Sequence, residues 1–270
     1  MTSPDYLSLD TLDLALAATL LLLNAGLSLA LDLGVARRLL WAALRMVVQL
    51  GLLSLVLEQL FALTDPLWTG LAALVMILFA GREVTARQSR RLSGWWAYGL
   101  GTGTMAVVAG LITLFALSTQ IGADPWYAPR YALPLLGMIL GNTMTGVSLG
   151  LDTLATRADR ERAAIEARLA LGAPRLKALN HVLREALRAG LMQVVNAMSA
   201  IGLVSIPGMM TGQILAGAPP LEAVRYQILV MFLIAGATGL GTLGATTLGA
   251  LRLTDKRHRL RLDRLRPGAP

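Results

Sequence analysis

The residues able to do chemistry in this 270-residue chain are few, and most of them are polar groups set inside apolar runs. There is no cysteine, so disulfides, thiolate zinc sites, iron–sulfur clusters and a thiol nucleophile are excluded. No HExxH, paired aspartate or Ser/His set converges within the apolar segments, so an intramembrane enzyme is not indicated. Arg45 and Gln49 stand one helical turn apart on one face. Arg45 can snorkel to headgroups or meet an intramembrane partner, with Asp32 and Asn142 as candidates. Glu58, near the end of the same run, can receive a cation or act as a helix-end anion, and Asp65 follows it. Asn142, Gln193 and Asn196 suit interhelical hydrogen bonds or the lining of a polar path. The run Pro207-Gly208-Met209-Met210-Thr211-Gly212-Gln213 offers thioethers, which suit Cu(I), or ordinary packing, since the chain holds 11 methionines. There is no G-x-x-x-x-G-K-[ST]; the nearest spacing, Gly236 to Gly241, runs into Thr242-Leu243. No phosphate cradle exists, so any ATP-driven step belongs to a separate polypeptide.

Composition says what must position these groups. Apolar residues make up 55% and charged residues 15%, against about 25% charged in a soluble domain. A polytopic all-α membrane bundle follows. A bilayer core of about 30 Å needs roughly 20 residues per helix. Seven spans are expected, near 14–31, 39–63, 67–81, 97–117, 131–151, 189–206 and 226–251, forming one permease domain over 1–270. The glycines of the fourth span (Gly99, Gly101, Gly103) and the seventh (Gly236, Gly239, Gly241, Gly244) suit close helix packing or a permease–permease interface. Pro207-Gly208 ends the sixth span, and 207–217 is too apolar for a plain loop and too short to cross. It reads as a re-entrant or gate segment at the outer end.

Charge sets the orientation. Of the 24 Lys and Arg residues, 21 fall in segments 32–38, 82–96, 152–188 and 252–270, and basic loops face the cytoplasm. The N-terminus is therefore outside and the C-terminus cytoplasmic. Removing the short third span would put 15 basic residues outside, so that segment is expected to cross. The N-terminal stretch, with Asp5, Asp10 and Asp13 and no basic residue before Arg37, is not a signal peptide. The net charge of +8 sits at loops and on the tail from Arg252 to Arg266, which reads as a lock on anionic headgroups and not as a nucleic-acid surface. His181 and His258 both fall on the cytoplasmic side, so no buried histidine ligand is expected.

The one large loop, 152–188, carries a helix–turn–helix pattern. Asp159 to Leu171 has no Gly or Pro, Gly172-Ala173-Pro174 forms the junction, and a second helix places Leu176, Leu179, Val182, Leu183 and Leu187 on one face. Lys177, His181, Arg184 and Arg188 line another face. The pair suits either the membrane surface or a soluble partner.

Residues 166–173, Glu-Ala-Arg-Leu-Ala-Leu-Gly-Ala, resemble the "EAA…G" signature by which importer-type ABC permeases dock a short coupling helix on their ATPase. The match departs at Arg168, where Ala is usual, and lacks the Ile-x-Leu-Pro that often follows. Three further segments resemble the FetB family of ABC permeases, known for bacterial iron export and with plant relatives linked to aluminium tolerance. They are Arg45–Leu50, Pro134–Met144, and Ser205–Gly217 with Pro219–Ala223 and Tyr226–Ile228 after it. The resemblance runs from about 37 to 250 and implies a homodimeric permease in the bacterial inner membrane, two copies of a separate ATPase that binds ATP-Mg, and metal efflux. Glu166, Ala167, Gly172, Ala173 and Pro174 would then be the coupling residues, and this chain would bind no cofactor and catalyse no reaction. No metal ligand set is assigned. The alternatives are an ion-coupled secondary transporter, which predicts inverted repeats and mid-span carboxylates, or an ABC permease for another small cargo.

Overall fold

The computed structural model describes residues 10–62, 65–122, 124–255 and 257–267. Asp5, Lys256 and the last residue of the expected second span lie outside them. The chain is mainly helical and divides into two units, 1–64 and 65–270.

The first unit is a helical hairpin. Asp10 caps α1 (Thr11–Ala30), accepting from the Thr11 N–H while Asp13 reaches back to the Asp10 N–H. A turn with Asp32 and Gly34 at positive φ leads to α2 (Ala36–Ala62). Both helices are apolar almost all round and expose leucines on every side, as a lipid-facing helix does.

In the second unit Asp65 caps α3 (Pro66–Ala86), which at 21 residues is longer than the expected 67–81 and apolar enough to cross. A short strand β1 (Arg90–Leu92) precedes α4 (Trp95–Ala116), whose last turn widens into a π-helical turn at Leu117–Ile121. Next come α5 (Pro129–Arg160), α6 (Arg162–Ala170), the four-residue α7 (Arg175–Ala178), α8 (Asn180–Ala200), α9 (Gly208–Leu215) and α10 (Pro220–Arg252). Strand β2 (Leu265–Pro267) is the last described element. It pairs antiparallel with β1, with Arg91 opposite Arg266. An all-helical chain was expected, and this small ladder is the exception.

Glycines set how closely the helices approach. A Cβ on Gly190 of α8 would lie 2.6 Å from the Gly146 carbonyl of α5, and one on Gly150 would lie 3.4 Å from the Ala186 carbonyl. These two contacts make α8 antiparallel to α5. Gly241 of α10 receives Thr143 and Gly249 receives Leu154, so α10 runs parallel to α5. Gly137 faces Met76, and Ser89 bonds Asp152, so α3 shares that direction. Gly101 faces Val84 and Arg252 lies over Trp96, so α4 runs the other way. The helices of this unit thus run alternately up and down around a core that includes Met105, Ile139, Leu154 and Val230.

Among the described residues, six helices are long and apolar enough on their own to cross a membrane: α1 to α5, with the π turn counted in α4, and α10. The sixth expected span, 189–206, corresponds to α8, which ends at Ala200. Its first half carries His181, Arg184, Glu185 and Arg188, so it is not apolar enough to cross on its own. It nevertheless returns the chain from the ends of α5 and α3 toward the start of α10, and its buried stripe, Val182, Ala186, Gly190 and Val194, rests on protein.

The charged segments gather at one end. The Asp152 carboxylate accepts from the Ser89 N–H and hydroxyl, each at 2.7 Å. Arg90 pairs with Asp159 at 2.8 Å, and Arg264 donates to the Arg252 carbonyl. The tail beyond Arg252 is therefore no loose basic strand. Leu253 is buried, Leu260, Leu262 and Leu265 pack on the core, and Asp255 binds the N–H groups of Arg257 and Arg259. The hydrogen bond and charge of Arg261 hold the Asp263 carboxyl down at about 2. Asp152→Ala strips the Ser89 pair of its acceptor. The expected loss is about 1.5 kcal/mol, the low end for a charge-assisted bond because both groups reach water. It is measured as a lower unfolding midpoint of the detergent-purified chain.

Candidate functional site

The elbow between α5 and α8 is the best-built feature at the charged end. Helix α5 does not stop at 151 as expected. It continues to Arg160, because 152–160 is rich in helix formers and has no Gly or Pro. At 32 residues it spans about 48 Å, well beyond a bilayer core of about 30 Å. The single helix expected over 159–171 is thus two pieces that break at Glu161.

Helix α6 is held by two side chains. Ile165 and Leu169 are buried, one turn apart, and join the main core. Glu166 is half-exposed and paired with Arg162 at 2.9 Å; Ala167 is exposed beside it. Leu171 is 87% exposed, an unusual state for a leucine on an otherwise ordered turn. Gly172 takes φ +86°, a conformation that suits glycine, and donates to the Leu169 carbonyl, while Ala173 N–H reaches the Arg168 carbonyl. Pro174 caps α7, and Ala178, Leu179 and Val182 are fully buried. Arg168 donates to the Ala178 carbonyl across the turn, which gives the residue that departs from the importer signature a local structural job. The outcome is a rigid elbow with one anchored face and one bare face, the latter made of Ala163, Glu166, Ala167, Ala170 and Leu171.

The expected path residues do not gather into one cluster. In the first unit Arg45 is half-buried on α2, and Gln49 and Glu58 are exposed. In the second, the Asn142 amide donates to the Met138 carbonyl one turn back, which satisfies it within its own helix. Gln193 and Asn196 are exposed near the end of α8. Pro207 caps α9, Gly208 opens it, and Met209 and Met210 are partly buried, with Met209 against the core. The Gln213 carbonyl oxygen is buried without a hydrogen-bond partner, and so is that of Gln227 in α10. Such oxygens are the donor type that hard cations take. Gln227 was not singled out in the sequence, because one glutamine in a long apolar run gives no periodic signal.

The glycines divide. Gly101 and Gly241 pack as expected, on Val84 and Thr143. Gly99 and Gly103 meet nothing and leave open a groove of about 990 Å³ between α4 and α10, rimmed at the charged end by Trp95, Arg175 and Arg264. The backbone contact between Gly146 and Gly190 was not foreseen, since a lone glycine in a span carries no mark of what faces it.

The uncharacterised protein family UPF0014 matches residues 11–253.

The chain belongs to the UPF0014 family.

A UPF0014 membrane protein of Synechocystis sp. is 40% identical over 218 residues, covering 79% of this chain and 82% of the relative. The Escherichia coli protein named "Probable iron export permease protein FetB" is 32% identical over 254 residues, covering 94% and 95%. Protein ALUMINUM SENSITIVE 3 of Arabidopsis thaliana is 32% identical over 235 residues, covering 87% and 84%. No solved structure matches significantly. The expected family resemblance therefore holds, and this UPF0014 member is a multi-pass helical membrane protein.

Proposed function

We propose that this UPF0014 chain is the membrane subunit of an ATP-driven exporter, that its cargo is a metal ion, with iron first, and that a separate ATPase docks on the elbow. The observation that carries the reading is the elbow itself. A short helix is bolted to the bundle end by Ile165 and Leu169 and presents Glu166, small alanines and the bare Leu171 outward. A partner gripping that face moves α5 and α8 together, because α6 continues directly from one and turns tightly into the other. The cargo reading rests on the printed name of the Escherichia coli relative, which this chain matches along nearly all its length.

In this reading the charged end is cytoplasmic, two copies of the chain form the bundle in the bacterial inner membrane, and α9 lies as a gate at the outer end. ATP-Mg binds to the ATPase alone. The bundle switches between inward and outward access, and only contacts that differ between those states bias the switch. The test is ATP-driven uptake into inverted vesicles holding this chain and its ATPase, across a panel of divalent metals and small organic solutes. Iron(II) uptake that needs ATP and both chains is the expected result. Uptake of another solute with none of iron(II) overturns the cargo, and uptake without the ATPase overturns the whole reading.

A further inference from the structure

A group outside the elbow's docking face has the chemistry of a metal site. Among the described residues, Glu161, His181 and Glu185 each place one ligand atom within 4.8 Å of the others. The sequence hides this trio. His181 and Glu185 are one turn apart on α8, where helical neighbours share a face, but Glu161 is 20 residues away, at the break between α5 and α6.

The orientation of the two carboxylates is specific. His181 Nδ1 lies 3.5 Å from Glu161 Oε2, and Nε2 lies 3.7 Å from Glu185 Oε1. The other oxygen of each carboxylate is held by one guanidinium. Arg157 Nε is 2.9 Å from Glu185 Oε2, and Arg157 Nη1 is 3.6 Å from Glu161 Oε1. Each glutamate thus turns one oxygen to Arg157 and the other toward the imidazole. An outer partner that fixes the non-ligating atoms is the normal support of a metal ligand set. Both glutamates are partly buried and the histidine is half-exposed, so an ion can enter from water.

We propose that Glu161, His181 and Glu185 bind one divalent first-row transition-metal ion. One imidazole and two carboxylates form a mixed nitrogen and oxygen set, which suits Mn²⁺, Fe²⁺, Co²⁺ or Zn²⁺ in preference to Mg²⁺ or Ca²⁺. The site joins the end of α5 to the start of α8, on either side of the elbow, so a bound ion clamps the two helices that carry it. This inference is independent of the export reading, because it concerns binding to the chain alone.

The experiment is a Co²⁺ titration of the full-length chain in phosphatidylcholine nanodiscs, followed by visible absorption and by equilibrium dialysis. One equivalent is expected to bind with ligand-field bands from a nitrogen and oxygen set. His181→Asn and the Glu161→Gln/Glu185→Gln pair are each expected to weaken it at least tenfold, about the smallest effect seen when even outer supports of a metal site are removed. His258→Asn is expected to leave it unchanged. Circular dichroism and size-exclusion profiles matching wild type show which variants are folded, and His181→Asn supplies a shape-conserving substitution. Wild-type binding no tighter than in the double variant, or equal loss in His258→Asn, overturns the proposal and leaves the trio as an ion-pair network.

Discussion

Gly190→Leu is expected to yield no folded bundle, and Gly190→Ala to yield one weakened by about 1–3 kcal/mol, the usual cost of overpacking a tight contact. The reason is local and geometric. The first atom of any side chain at 190 would lie 2.6 Å from both the Gly146 carbonyl oxygen and Thr242 Cγ2. Backbone cannot swing aside as a long side chain can, so α8 must move off α5 or the contact fails. The measurement is the unfolding midpoint of the purified chain in detergent, with the yield of monodisperse protein beside it. Gly236→Ala is the control, since a Cβ there meets nothing and alanine favours helix. An unchanged midpoint in Gly190→Ala would mean that α5 and α8 do not meet as described.

Glu166→Arg combined with Leu171→Asp is the second large effect, and it belongs to the docking reading. Both side chains point away from the core, and Ile165 and Leu169 still anchor α6, so the chain is expected to fold as wild type does. Glu166→Arg puts a second cation beside Arg162, and Leu171→Asp removes the bare apolar side chain. Loss of an anchoring contact of at least 2 kcal/mol lowers capture of the ATPase by about thirtyfold. The check is retention of the purified ATPase on the immobilised chain. Full retention by the folded double variant removes the elbow from the docking surface and leaves the family assignment untouched.

Composition and charge revealed most of the bundle. Long apolar runs gave the helices, and arginine placement grouped the loops 82–96 and 152–188 with the tail, which the structure brings to one end through Asp152, Asp159 and the β1–β2 pair. Periodicity failed where a helix did not need to be apolar. Half of α8 is charged, yet its buried stripe rests on α5 and α10, so its count as a span depends on neighbours and not on its own hydropathy. The elbow was legible as a junction because Gly172 and Pro174 are strong punctuation. Its split at Glu161 was not, since no residue type there forbids a helix. Intramembrane polar residues were legible as types only. Asn142 turns out to bond its own helix, and the buried oxygens of Gln213 and Gln227 depend on packing that spacing does not encode.

The β1–β2 ladder has a consequence for biogenesis. Residues 265–267 leave the ribosome long after residues 90–92, onto which they zip. Until then Leu92 lacks its partner Leu265, and a hydrophobic seam stays open beside Leu151 and Leu253. A polypeptide stalled or cut short of 265 thus leaves that apolar seam open to surveillance proteases.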